Sequence, residues 1–308
     1  MSILSSLLRD VFLSKKPAVI SQQTHATESA APLVERCKAQ LTSGDIVGAE
    51  ETCSHALVLF PEDVNVCGLP TDIELVKCLA AADDRFPGPQ YLEWLDWFHA
   101  HLKPASYLEI GVESGQSLRF ARAPTRAVGV DPAIQIIHSQ ENWVKLFKLT
   151  SDDFFVTHDP EQVFGTKTID LSFIDGLHTF DQALKDFINI ERFSNAGSVA
   201  LFHDIFPVTP ATAARDRNTI FWVGDTWKVM LILLKYRPDL KIFTIPTYPS
   251  GLGVVTGLNP ESRILQTDFD RICQEAMELE LGAFPHGIEG QLCLVENDFL
   301  TVAERLRV

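Results

Sequence analysis

The sequence predicts an α/β fold, a doubly wound and mostly parallel sheet of seven strands whose last strand is reversed, preceded by an α-helical N-terminal region. Three observations predict it. From Tyr107 onward, short apolar runs with sharp polar ends alternate with stretches able to form helices. The runs are continuous rather than alternating, as strands covered on both faces require. The final two, "KIFTIP" (241–246) and "LGVVTGL" (252–258), are separated only by "TYPSG". That loop can turn an antiparallel hairpin but cannot hold a crossover helix.

Residues 1–13, "MSILSSLLRDVFL", place Ile3, Leu4, Leu7, Leu8, Val11 and Phe12 on one helical face. This reads as a docking or oligomerisation helix. A membrane-surface anchor or a targeting peptide fits less well, because Arg9 is the only cation and no small-residue cleavage site is present. Residues 14–31 are polar, lack periodicity and read as a linker. In 32–63, Leu33, Cys37 and Leu41, then Ala49, Cys53, Ala56 and Leu57, keep helical spacing around a break at Gly44-Asp45, with Pro61 closing. The pattern resembles one tetratricopeptide-like helix pair. A single repeat cannot bury its own face, so it should pack on another part of the chain or on a second copy.

Residues 71–102 continue as helix in two pieces split at "FPGPQ", with Trp94, Trp97 and Phe98 as core. The strands are expected at "YLEIG" (107–111), "RAVGVD" (126–131), "DFFVTH" (153–158), "IDLSFID" (169–175) and "GSVALFHD" (197–204), then in the terminal hairpin. Residues 205–227 form a long loop of the kind that acts as a lid or specificity element. Arg215, Arg217 and Trp222 in it could bind an anionic or sugar substrate or face solvent. Helices are expected at about 226–236 and 261–281. The expected organisation is 1–31 N-terminal segment and linker, 32–103 helical, 104–258 cofactor-binding domain, and 259–308 a C-terminal helical extension for packing or dimerisation.

Composition narrows the partners. Of 308 residues, 46% are hydrophobic, enough for a full core, and the net charge of −15 repels a phosphate backbone, so no nucleic acid partner is expected. No apolar stretch reaches the roughly 18 residues of a membrane span. The six cysteines (Cys37, Cys53, Cys67, Cys78, Cys273, Cys293) contain no C-x-x-C pair, which argues against a zinc or iron–sulfur site and suits a reducing cytoplasm.

The chemistry begins at "YLEIGVESGQSLRF" (107–120). A dinucleotide fingerprint wants G-x-G-x-x-G so that a pyrophosphate can rest on a helix N-terminus. Here Gly111 and Gly115 are spaced G-x-x-x-G, with Glu113 where the middle glycine would stand. The acid Glu109, inside the strand end, has no use for a phosphate but suits a ligand with an amino group. Asp131, 22 positions later at the end of the next strand, is placed to accept from both ribose hydroxyls.

"E-I-G-x-x-x-G" (109–115), "V-G-V-D-P" (128–132) and the reversed last strand together resemble the class I S-adenosylmethionine-dependent methyltransferases, a Rossmann-like fold. The resemblance covers about 104–258. It implies that S-adenosylmethionine is the cofactor, that Glu109, Gly111 and Gly115 meet its methionine end, and that Asp131 meets its ribose. Asp159, in "THDPEQVF", would lie near the adenine amino group, although a helix N-cap before "PEQ" explains it equally well.

Asp175, His178, His203 and Asp204 fall at the carboxyl ends of the fourth and fifth strands, where open α/β sheets place their sites. The arrangement is similar to that of metal-dependent O-methyltransferases of the catechol, caffeoyl-CoA and macrolide-sugar types. The similarity implies metal ligands Asp175, His203 and Asp204. His203 departs from the acid or amide usual at its position, so Mg²⁺ gives way to a softer divalent ion, or His203 is a base and no metal binds. His178 stands three residues after Asp175, where catechol-type enzymes carry a lysine base, and an imidazole can accept the acceptor's proton. No [DNS]-P-P-[YFW] stands after the fourth strand and no Pro-Cys pair exists, which leaves O-methylation of a small hydroxylated molecule, such as a sugar or secondary metabolite. The alternatives are a metal-dependent hydroxylase or oxygenase on the same fold, and a non-catalytic helical scaffold with a degenerate Rossmann-like domain. A homo-oligomer through the N-terminal helices is compatible with each.

Overall fold

The computed structural model describes residues 29–284 and 287–307. The apolar helix expected at 1–13, and nearly all of the linker, lie outside the described residues. The chain divides into two compact units, one running to Asp84 and taking in Thr219–Phe221, the other Arg85–Asn218 with Trp222–Val308.

In the first unit the helix pair forms as α1 (Ala31–Ser43) and α2 (Ile46–Leu59). Gly44 takes the left-handed conformation (φ 82°) that ends α1, a position where a Cβ is costly. Asp45 then caps α2, its side chain accepting from Gly48 N at 2.9 Å. Val34, Cys37 and Leu41 are buried on one helix and Ala49, Cys53 and Ala56 on the other. The next helix, α3 (Val64–Arg85), starts seven residues before the expected 71 and runs through Pro70. Asp63 makes that start, its Oδ1 accepting from the backbone N–H of Asn65 (2.9 Å) and Val66 (3.2 Å).

The second unit opens with α4 (Tyr91–Leu102) and carries the sheet: β1 (Ser106–Ile110), β2 (Arg126–Val130), β3 (Val144–Phe147), β4 (Leu171–Ile174), β5 (Val199–His203), β6 (Lys241–Ile245) and β7 (Leu252–Thr256). Their spatial order is 3-2-1-4-5-7-6. The first five pair in parallel, and β7 runs antiparallel to both β5 and β6. The expected Rossmann-like sheet with a reversed last strand is the one that forms. Every residue of β1, β4 and β5 is buried, which is why these strands read as unbroken apolar runs. Trp94 and Phe98 of α4 join the core against Tyr107, Phe173 and Leu201, with Trp97 packed partly buried beside them.

Two expected elements need correction, and one helix was not expected. Residues 153–158 are not a strand but most of a helix, α5 (Ser151–Thr157). Thr150 caps it by accepting from Asp153 N at 3.1 Å, and Asp152 and Asp153 suit its first turn. The third strand is instead 144–147, a half-exposed edge strand with no continuous apolar run to mark it. The helix expected over 261–281 is broken at Asp268 into α9 (Ile264–Thr267) and α10 (Phe269–Met277). The final residues hold a helix that no sequence pattern announced, α11 (Phe299–Arg307), whose Val302 enters the core. The remaining helices are α6 (Pro160–Phe164), α7 (Phe180–Glu191) and α8 (Lys228–Tyr236). A buried fork joins the ends of α7 and α8, with Arg237 donating to both Glu191 oxygens at 2.6 and 2.8 Å.

Candidate active site

The strand order leaves β1 and β4 side by side, and the turns that leave their carboxyl ends make the site. Past β1 the chain turns at Gly111 (φ 87°), where a Cβ would lie 1.9 Å from the carbonyl oxygen of Asp175. The turn after β1 therefore rests directly on the turn after β4. Gly115 (φ 76°) shares the left-handed conformation, with the side-chain ends of Ile136 and Gln140 2.8 and 2.9 Å from where its Cβ would lie. Residues after Asp131 are strapped across this turn, with Gln135 N donating to Glu113 O (2.8 Å) and Ile137 N to Ser114 O (3.1 Å).

Glu109 is fully buried and accepts from Tyr107 Oη (2.5 Å) and Ser117 Oγ (2.6 Å). Burial pushes its carboxyl up to about 8, against the pull of those two bonds, with Asp175 and Asp131 adding to the rise. At neutral pH it therefore keeps its proton. Asp131 takes two amides of the glycine turn on one oxygen, from Val112 N and Glu113 N at 2.9 Å each, and Ala133 N on the other at 2.6 Å. It holds the turn in shape, and three of its roughly four acceptor positions are in use. Asp159 does not end a strand. It caps α6, accepting from Glu161 N at 2.9 Å, and is exposed.

At the ends of β4 and β5 the four expected residues come together. His203 Nδ1 lies 3.2 Å from Asp175 Oδ1 and 3.5 Å from Asp204 Oδ1. His178 Nδ1 lies 3.1 Å from Asp204 Oδ2 and 2.8 Å from the carbonyl oxygen of Trp222, and its Nε2 lies 3.5 Å from Asp175 Oδ1. Asp204 has φ 60°, unusual for a residue with a side chain, and this turns its carboxylate back toward both rings. Burial alone would raise Asp175, but the His203 charge and the hydrogen bonds of both histidines hold it well below the usual carboxylate range. Against burial, Asp204 and Asp175 push His178 up to about 10, and Asp175 and Asp204 likewise raise His203. A small cleft borders all four residues.

Several residues of the site escaped the sequence reading. Tyr91, the first residue of α4, lies against His203 with ring centroids 4.3 Å apart, and burial together with the Asp175 charge raises its hydroxyl well above the usual range. Ser250 donates to Asp204 Oδ1 at 2.6 Å. A signal for Ser250 existed. The antiparallel pairing of His203 with Leu252 brings the end of the β6–β7 turn, with Ser250 two residues before β7, beside Asp204 just after β5. In the long loop, Trp222 stacks on His178 (5.2 Å, 22°). Arg215 is committed to Asp181 (2.8 and 2.9 Å) and Asp225 (3.2 Å) rather than held open for a substrate. The Arg217 guanidinium lies 5.8 Å from the Trp222 ring centroid.

The sheet order, the reversed β7 and a site at the carboxyl edge of β1, β4 and β5 define a Rossmann-like methyltransferase fold. Residues 108–205, about a third of the chain, match the family model of a methyltransferase domain. The chain thus carries a methyltransferase domain, and the match spans all the candidate residues from Glu109 to Asp204 without reaching the helix pair at 32–63. Similar solved structures include the O-methyltransferase TomG from Streptomyces achromogenes, in complex with SAM, at 17% identity over 60% of this chain and 89% of that one, TM-score 0.40. The SAH-bound methyltransferase PaMTH1 from Podospora anserina is 13% identical over 78% of this chain and all of that one, TM-score 0.41. An O-methyltransferase from Bacillus cereus, in complex with SAH, is 16% identical over 65% of this chain and 93% of that one, TM-score 0.38. No curated protein matches the chain.

Proposed function

We propose that the protein transfers the methyl group of S-adenosylmethionine to a hydroxyl of a small molecule. The observation that carries this reading is the contact between its two halves. The glycine turn that would receive the cofactor's methionine end rests on the backbone of Asp175, which belongs to the acid–imidazole cluster. A sulfonium held at the first would have its methyl near groups able to take a proton at the second. Glu109 would accept the cofactor's ammonium, giving up its own proton as it does so. Asp131 shapes the turn and offers its remaining acceptor position to the ribose. The adenine assignment of Asp159 rests on the family resemblance alone, and its capping bond accounts for the residue without it.

The proton of the acceptor hydroxyl would go to His178, which stands at the edge of the cleft. In the ligand-free protein the two acids keep this imidazole protonated. A positive sulfonium nearby, or a divalent ion, would oppose that effect and return His178 to a basic form. In a second arrangement Asp175, His178 and Asp204, whose ligand atoms all lie within 4.8 Å of one another, would hold a divalent ion, with His178 as a ligand and not as the base. The imidazole favours a metal softer than magnesium. Such an ion would lower the hydroxyl's pKa and orient it. His203, expected from sequence as a third ligand, would stand behind Asp175 and Asp204 as their partner.

No helix among the described residues is long and apolar enough to cross a membrane. All six cysteines are free, which suits a reducing compartment, and we place the protein in the cytoplasm. Residues 1–63 would serve self-association, so deleting them should change the mass seen by light scattering while cofactor binding persists. Mass spectrometry of the natively purified protein for bound S-adenosylmethionine or S-adenosylhomocysteine, and then titration calorimetry, tests the central reading. Heat with NADH and none with S-adenosylmethionine would overturn it.

A further inference from the structure

The turn that leads into α4, "FPGPQ" (86–90), contains two prolines, so Pro87 and Pro89 have carbonyls to satisfy and no N–H of their own. Gly88 between them has φ 111°, and a Cβ there would lie 2.8 Å from Asn297 Nδ2. Asn297 belongs to the C-terminal extension. Its Nδ2 donates to Pro87 O (2.9 Å) and Pro89 O (3.1 Å), and its Oδ1 accepts from Trp94 Nε1 (2.7 Å). Two carbonyls on one side and an indole N–H on the other fix which amide atom is the nitrogen. One side chain thus ties the turn to the first turn of the helix that follows.

Asn297 is itself held from both sides. The residues before it extend the sheet beside β6, with Thr244 N donating to Cys293 O and Val295 N to Thr244 O, each at 3.1 Å. After it, Phe299 of α11 packs on Trp94 with ring centroids 4.6 Å apart. The connection between β6 and β7 braces the same stretch. Thr247 Oγ1 donates to Pro89 O (2.6 Å), and Tyr91 N donates to Tyr248 O (3.1 Å).

These bonds converge on the residue that follows the turn. Tyr91 sets its ring 4.3 Å from that of His203, and its hydroxyl donates to no described residue. Asp175 and Asp204 of the cluster and Glu109 and Glu113 of the glycine turn all act on that oxygen, which puts it between the two. A hydroxyl there has a hydrogen left to give to a ligand.

We propose that Asn297 is a positioning residue: by clamping the turn before α4, it holds the Tyr91 hydroxyl as a free hydrogen-bond donor facing the space where cofactor and acceptor meet. The C-terminal extension then serves the site as well as the core. The hydroxyl would orient the acceptor's oxygen, and orientation supplies much of the rate when two bound groups react. The inference rests on the O-methyltransferase reading for the ligands that Tyr91 meets, whereas the clamp does not.

The chain has four tyrosines, so the full-length protein labelled with 3-fluorotyrosine should give four ¹⁹F lines, with that of Tyr91 assigned by Tyr91→Phe. In the wild type, S-adenosylhomocysteine should shift the Tyr91 line. Asn297→Asp keeps the acceptor for Trp94 and loses both donors, and Asn297→Ala adds no charge. Each should move the Tyr91 line in the ligand-free protein and shrink the shift that S-adenosylhomocysteine produces, while the Tyr236 line stays. Asp298→Asn alters the neighbouring residue, whose Oδ1 caps α11, and should leave the Tyr91 line in place. An unmoved Tyr91 line in both Asn297 variants overturns the proposal, as does an equal shift from Asp298→Asn. So does a wild-type Tyr91 line that ignores S-adenosylhomocysteine shown by calorimetry to be bound, and that result holds even if the Asn297 variants fail to fold. If calorimetry shows no binding while the Asn297 variants still move Tyr91, the methyltransferase reading fails and the clamp stands.

Discussion

Glu109 shows how one residue's surroundings become a measurable property of the site. Its carboxyl is raised to about 8, so the folded, ligand-free protein holds a proton there that the unfolded chain releases above about 4.5. The stability contributed by that proton is full below pH 4.5 and is lost as pH rises toward 8. A cofactor ammonium would reverse the preference. S-adenosylmethionine binding at pH 7 should therefore release close to one proton, read as a dependence of the calorimetric enthalpy on the buffer's ionisation heat. Glu109→Gln should remove that dependence and weaken binding by about 1–3 kcal/mol through loss of a charge-assisted bond. No net proton release in the wild type would detach Glu109 from the cofactor. For His178, the base assignment predicts that His178→Ala lowers turnover about 10²–10⁴-fold with cofactor affinity nearly unchanged. A parallel loss of cofactor affinity would mean that the ring supports the pocket instead.

At the scale of elements, two glycines hold the turns of the site in place. Gly111 puts the turn after β1 against the turn after β4, and Gly224 (φ 59°) does the same for the long loop, since its Cβ would lie 1.7 Å from the carbonyl oxygen of His178. Asp225 N then donates to that carbonyl at 3.2 Å, and Asp225 Oδ1 accepts from Phe180 N at 3.0 Å. The loop at 205–227 is thereby tied to the start of α7 on both sides of His178. Gly111→Ala and Gly224→Ala should each cost about 1–3 kcal/mol from the backbone conformation alone. They should differ in function, the first abolishing cofactor binding and the second impairing turnover with the cofactor still bound. Thermal melts and cofactor titrations on both variants distinguish these outcomes, and equal effects of the two on cofactor binding would refute the division. Strands buried on both faces were legible as apolar runs, whereas β3 was not. An edge strand buries only part of its surface, and the apolar "DFFV" beyond it belongs to a helix whose Thr150 cap outweighs the β-forming character of its phenylalanines.

For the whole molecule, the core itself makes a prediction about acid. His99 of α4 is buried with neither ring nitrogen hydrogen-bonded, its ring set edge-on to Tyr107 at 4.4 Å. Burial, with a smaller contribution from Arg122, depresses it to about 3. Its folded pKa lies below the unfolded value of 6.5, so the unfolded chain takes up a proton that the folded protein refuses. The contribution of His99 to stability should fall as pH drops from 6.5 toward 3, by about 3 kcal/mol over the first two to three pH units, opposite in sign to that of Glu109. Denaturant titrations of the wild type and of His99→Phe between pH 7 and pH 4 should differ by this slope, the wild type losing stability relative to the variant as pH falls. The same slope in both proteins would assign the acid sensitivity elsewhere.

By itself the sequence determined the class of the fold, because strand burial, helix punctuation and a five-residue hairpin loop are local or periodic properties. It also named the candidate residues of the site, since Glu109, the glycine turn, Asp131 and the four strand-end residues are written at element boundaries that those properties locate. The tertiary structure decided what depends on elements meeting. Only the pairing of β5 with β7 brings Ser250 onto Asp204, only the packing of α4 sets Tyr91 on His203, and only the long loop returns the Trp222 carbonyl to His178. Each of these contacts joins residues tens of positions apart in the chain. A hydrogen bond depends on distance in space, and local sequence pattern carries no record of that distance.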